Sequence, residues 1–156
     1  MTCDAREIAN WNIECSLKDN KELTIMSLLK LAYISHGWFL ALHDRPLFHN
    51  PIEAWKFGPV VPDIYFSFKK QGKIPRQKID TKKNMIDGMI DDFLEQIYFI
   101  YGSMPAFKLS KLTHVTGGPW DITRKLGGFY TPIPDELIKQ HYLSKKFQAE
   151  LSKYDH

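Results

Sequence analysis

Thr24-Ile25-Met26-Ser27-Leu28-Leu29-Lys30-Leu31-Ala32-Tyr33-Ile34-Ser35-His36-Gly37-Trp38-Phe39-Leu40-Ala41-Leu42 decides the fold class of this chain. Ile25, Leu28, Leu29, Ala32, Ser35, Phe39 and Leu42 recur at i, i+3, i+4 spacing, the rhythm of an α-helix opened by Thr24. Leu31, Ile34 and Trp38 widen the apolar face beyond the stripe of a surface helix, so other elements must enclose this one. Gly37 inside it costs about 1 kcal/mol relative to Ala, which suggests the close approach of a neighbour.

Working outward, the flanking sequence supplies the partners. Asp4 with Glu7 three residues later forms a capping-box variant ahead of Ile8, Trp11 and Cys15 at helical spacing, and residues 17–22 read as a polar loop. Ile86, Met89, Ile90, Phe93, Leu94, Ile97 and Tyr101 make one face of an amphipathic helix, with Asp87, Asp91, Asp92 and Glu95 opposite and Gly102 at its end. Ser103 is expected to cap a helix carrying Phe107, Leu109 and Leu112, stopped by Gly117-Gly118. Pro119 starts a short helix closed by Gly127-Gly128. Asp135 and Glu136 suit the first turn of a last helix, whose apolar face fades after Tyr142, so a frayed tail is expected from about Lys146. Leu47-Phe48 and Ile52 to Phe57 flank the turn residues His49-Asn50-Pro51. They predict a small β-hairpin or a pair of short extended segments around 47–57. The fold class is therefore mainly α, α+β at most, with residues 1–156 forming one helical domain.

Composition bounds the function classes. A 156-residue chain with 44% hydrophobic and 25% charged residues is ordinary for a globular domain. Its net charge of +3 is accounted for by solubility alone. Cys3 and Cys15 make neither a disulfide framework nor a zinc site. The amino terminus lacks a basic patch followed by an apolar run, and no apolar run approaches the roughly 18 residues of a membrane helix. A cytoplasmic, reduced protein without membrane contact is the expectation. The one strong charge bias is Lys69, Lys70, Lys73, Arg76, Lys78, Lys82 and Lys83, offset only by Asp80, on a loop carrying Gly72 and Pro75. It reads as solvated more readily than as a phosphate-binding surface.

No P-loop, dinucleotide fingerprint, nucleophile elbow or HExxH is present. No two of the six histidines stand at the i, i+4 spacing of paired metal ligands, so neither a metal nor a cofactor is implied. His114 with Asp121, or with His36, is the nearest approach to an acid–base constellation. It supports a His-dependent hydrolase as an alternative function, although a single His near a helix end is more often structural. Basic and aromatic residues do not alternate as stacking platforms do, and no helix-turn-helix carries a basic second helix, which argues against nucleic acid.

A second stretch, Ala54-Trp55-Lys56-Phe57-Gly58-Pro59-Val60-Val61-Pro62, reads as an extended segment that turns abruptly at Gly58-Pro59 and feeds a helix at Pro62. Together with Leu28 to Tyr33, Gly37 to Leu42, Pro46-Leu47-Phe48, Leu109 to His114 and Pro119-Trp120, it resembles the Panacea domain, the SocA-like antitoxin family. The matching blocks span about residues 5–143. The resemblance implies a mostly helical, non-enzymatic protein that neutralises a cognate toxin in bacterial and phage toxin–antitoxin pairs, members being linked to many unrelated toxins. A phage- or mobile-element-associated accessory binding protein is the related alternative. The family's hallmark residues fall on Lys30, Tyr33, Trp55, Gly58, Pro59, Thr113, His114, Pro119 and Trp120, the binding residues the resemblance implies. It leaves open occlusion of the toxin or delivery to a protease, and homo-oligomer contact. Trp55, Gly58, Pro59 and Trp120 would serve a core as readily as an interface.

Overall fold

A computed structural model describes residues 2–82 and 84–152, so Lys83 of the basic run, His156 and the end of the expected tail lie outside the described residues. Thr24 caps the central helix, its hydroxyl accepting the Ser27 N–H at 3.0 Å. That helix, Ile25–His43, is buried without a break from Ser27 to Gly37. Length and composition would let it cross a membrane, contrary to the expectation from its letters. Ser27, Lys30, Ser35 and His36 interrupt the apolar run without making the segment polar on average. Here 72% of that apolar window is buried inside the protein.

The covering elements follow the sequence. Helix α1 (Ala5–Lys18) begins with the expected capping box, Asp4 accepting the Arg6 N–H and Glu7 accepting the Asp4 N–H. After α2, the central helix, come strands β1 (Glu53–Trp55) and β2 (Gly58–Val60), then α3 (Pro62–Phe68), which a 3-10 turn (Lys69–Gln71) extends to Gly72. Helices α4 (Gly88–Tyr101), α5 (Ala106–Thr113), α6 (Pro119–Gly127) and α7 (Asp135–Ser152) complete the order. The central helix packs against α1, α3, α4, α5, α7 and β2. The fold is mainly α with one small antiparallel sheet.

Three local readings shift. The hairpin strands are 53–55 and 58–60, paired Glu53 to Val60 and Trp55 to Gly58, so the tight turn is Lys56-Phe57 and not His49-Asn50-Pro51. Phe48 makes only an isolated bridge to Cys3. Residues 130–133 run along the outer edge of β1, with Tyr130 N–H donating to Ala54 O and Ala54 N–H to Thr131 O. Helix α5 is preceded by Pro105, not capped by Ser103, because proline needs no partner for an absent N–H. Asp87, placed on the polar face of α4, is its N-cap, accepting the Ile90 N–H.

The basic loop is tied down. Asn10 exchanges two hydrogen bonds with Ile79, Gln71 accepts from the Arg76 and Gln77 N–H groups, and Lys78 and Arg76 approach Glu14 and Glu22.

Gly37 is the position where α7 crosses the central helix. A methyl group there would land inside the Tyr142 ring, which also stands edge-on to Trp38 and Tyr33. Gly37→Ala should therefore lower stability by about 1–2 kcal/mol despite the better helix propensity of alanine. A urea titration checks this by the direction in which the midpoint moves.

Candidate functional site

Helices α2, α5 and α6 converge on the β1–β2 hairpin, and each sends a donor to one of its carbonyls. Lys30 Nζ reaches Pro59 O at 2.7 Å, Trp120 Nε1 reaches Trp55 O at 2.7 Å, and Ser110 Oγ reaches Phe57 O at 3.5 Å. Carbonyls 55, 57 and 59 lie on a segment too short to satisfy itself by strand pairing. Side chains complete what the ladder leaves open.

The joint is tight. Gly58 has φ +115°, and a Cβ there would sit 2.8 Å from Lys30 Nζ and 3.5 Å from His114 Nδ1. His114 Nδ1 lies 3.3 Å from Ser110 Oγ, and its ring stands edge-on to Trp120 at 5.3 Å. Thr113 Oγ1 donates to Ser110 O, fixing the last turn of α5. Pro119 begins α6 with Trp120 behind it, and the Arg124 guanidinium covers the indole at 4.9 Å. Trp55 turns its own Nε1 to Glu53 at 2.9 Å.

Of the nine hallmark residues, Lys30, Trp55, Gly58, Pro59, Thr113, His114, Pro119 and Trp120 meet at this joint. Tyr33 does not; it lies among the central helix and α7, beside Tyr142, with no hydrogen-bond partner for its hydroxyl among the described residues. Burial pushes its phenol up from the ordinary tyrosine range. Trp55 and His114 are half-buried and the other seven hallmark residues are buried. Ser110 is the member that sequence reasoning left unassigned, since a serine within a helix carries no signal of its own.

Lys30 is wholly shielded from solvent, and desolvation pulls its amine down to about 7. Asp121 is also pulled down, to about 2, but here the shift favours the charged form, which the Gly117 N–H, Lys125 and Arg124 all stabilise. Its oxygens thus point to the start of α6 and to its own helix. His36 pairs through Nε2 with Asp135 at 2.8 Å and stacks on Phe48. His114, Asp121 and His36, the groups weighed for hydrolysis, are each engaged in separate contacts. A cavity of about 590 Å³ lies elsewhere, between α1, the loop before α4 and the start of α4, where Glu14, Asp87 and Asp91 line it. Among the described residues no three metal-ligating side chains gather.

Two substitutions probe the joint. Gly58→Ala combines a left-handed φ with a clash on the Lys30 amine and should lower stability by roughly 1–3 kcal/mol, read as a fall in melting temperature. For Lys30, the folded-state pKa lies below the unfolded one, so between them the unfolded chain binds more protons and stability rises with pH. The clean window is pH 7 to about 8, below the range in which Cys3, Cys15 and Tyr33 ionise in the unfolded chain. Wild-type unfolding free energy should climb there by at most about 1.4 kcal/mol per pH unit, and Lys30→Met should flatten the climb.

Residues 28–121, more than half of the chain and reaching from the central helix to Asp121, match the family model described as antitoxin SocA-like, Panacea domain. Antitoxin SocA from Caulobacter vibrioides (strain NA1000 / CB15N) is 34% identical over 165 residues, covering 95% of this chain and 87% of that protein. No solved structure matches. On both matches, the chain belongs to the SocA-like antitoxin family, the Panacea-domain proteins.

Proposed function

We propose that this protein is the antitoxin of a toxin–antitoxin pair, binding its cognate toxin in the cytoplasm of a bacterial cell and neutralising it without chemistry of its own. The observation that carries this reading is kinship with a named antitoxin along 95% of the chain. The joint supports it: its polar groups are spent on holding a hairpin in place. A lysine sealed from solvent against a carbonyl, and a carboxylate gripped by three donors, are positioning devices. A toxin bound by such a domain would bury roughly 1,200–2,000 Å² in total. The buried hallmark residues would act from beneath that surface, by fixing the shape of what it presents.

Expression of the neighbouring reading frame alone should arrest growth of the host, and co-expression with this chain should restore it with the two proteins co-purifying. Occlusion leaves the neighbour's level unchanged, whereas delivery to a protease shortens its lifetime; a chase after blocking translation separates the two. Arrest that this chain does not relieve would rule out the antitoxin role.

A further inference from the structure

On the outer side of Trp55, rings from α3, from the 130–133 segment and from the hairpin turn stand at the surface. Trp55 contacts Tyr65, Phe66 and Tyr130 edge-on, at 5.3, 6.1 and 5.5 Å between centroids, and Tyr65 contacts Phe66 at 5.3 Å. Phe66 and Tyr130 are 55% and 65% exposed, and Phe57 at the turn is 67% exposed. Trp55, Tyr65, Phe66 and Tyr130 are thus joined through Trp55 into one apolar cluster, with Phe57 exposed at the adjoining turn. Single exposed side chains need no explanation, but a cluster does.

Two features set this patch apart from incidental exposure. Tyr130 holds φ +70°, a conformation that glycine or asparagine adopts more easily. Its N–H bond to Ala54 O keeps it there, with the ring over Trp55. Cations also flank the patch. Lys69 Nζ lies 4.9 Å from the centre of the Phe66 ring and Lys56 Nζ 5.7 Å from that of Phe57. The nearby acids are engaged: Glu53 accepts the Trp55 indole N–H and Asp63 the Asn50 amide. Both acids keep their charge, but their oxygens face the indole and the amide, whereas Lys56 and Lys69 stand beside exposed rings with no ion-pair partner among the described residues. The patch is apolar at its centre with two cations on its rim.

We propose that Trp55, Phe57, Phe66 and Tyr130 form the docking surface for a partner protein, and that it receives an apolar segment flanked by carboxylates. The inference rests on the antitoxin reading and names the surface through which it works. Recognition there is by side chains. Residues 130–133 already occupy the outer edge of β1, and the β2 backbone offers no N–H at Pro59 and a Pro59 carbonyl taken by Lys30. Strand addition has no free register. The rings meet at 60–79° between planes, a geometry that makes pockets for aliphatic anchors and not the parallel faces on which nucleobases stack.

The test titrates the purified product of the neighbouring reading frame with wild type, Phe66→Ala, Tyr130→Gly and Lys69→Glu, using Phe99→Ala on α4 as the exposed-phenylalanine control. Phe66→Ala and Tyr130→Gly should each weaken binding about 30-fold, the scale of an interface hot spot, while circular dichroism and melting show the fold retained. Lys69→Glu should slow association and reduce its salt dependence. Phe99→Ala should bind as wild type does. Tight wild-type binding that the ring substitutions leave unchanged would overturn the surface and leave the antitoxin reading intact. Absence of wild-type binding would overturn both. A wild-type dimer split by the same substitutions, or binding of single-stranded DNA or phosphatidylserine vesicles lost with them, would reassign the patch and overturn the proposal.

Discussion

A primary amine sealed inside a protein loses several kcal/mol of hydration, and one carbonyl returns only part of that. Lys30 is in this position, wholly buried with Pro59 O as its acceptor. The arrangement persists because both partners would otherwise be worse off. Pro59 sits in a three-residue strand whose carbonyl has no ladder partner on that side, and the amine can relieve its own cost by shedding a proton, as its pKa of about 7 indicates. A neutral amine still donates. The hydrogen bond therefore survives the loss of charge, and the hairpin is held at either protonation state.

From that contact the rest of the region follows. The lysine comes from the most enclosed helix of the fold, so the hairpin is referenced to the core and not to a surface loop. Gly58 must be glycine for the amine to pass, and the Trp120 indole takes the second carbonyl from the other side. Three helices, the consecutive α5 and α6 and the sequence-distant α2, then fix one turn of backbone. Rigidity of this kind matters for binding, because a surface already in its bound shape spends less of its interaction energy on ordering.

The helical framework was legible in the residues because each helix carries both a period and a boundary signal: Thr24 and Asp4 cap where the apolar spacing begins, and Pro62 and Pro119 occupy first turns. Gly37 was legible as a close approach, though not its partner Tyr142, since contact between the second and seventh helices leaves no mark in either. The hairpin was displaced because His49-Asn50-Pro51 has stronger turn chemistry than Lys56-Phe57, and only tertiary donors make the second turn worthwhile. The hallmark residues were found through the family resemblance. Burial of Trp120, Gly58 and Pro59 was one of two open readings, but that of Lys30 was not visible, because a lysine on an apolar helix reads as surface until its acceptor is known. Phe66 and Tyr130 escaped notice for the converse reason: aromatic residues are counted as core until a structure leaves them outside.

Placing the joint inside and the rings outside separates two demands that a single surface would confuse. Substitutions at the joint disturb a packed, hydrogen-bonded site and lose stability through clashes or orphaned polar groups. Substitutions at Phe57, Phe66 or Tyr130 touch mostly solvent, where stability changes little. The chemistry of the outer face can thus be altered without loosening the hairpin that presents it. On the proposed docking surface, the interior sets where the hairpin stands, and the exposed side chains set what it meets.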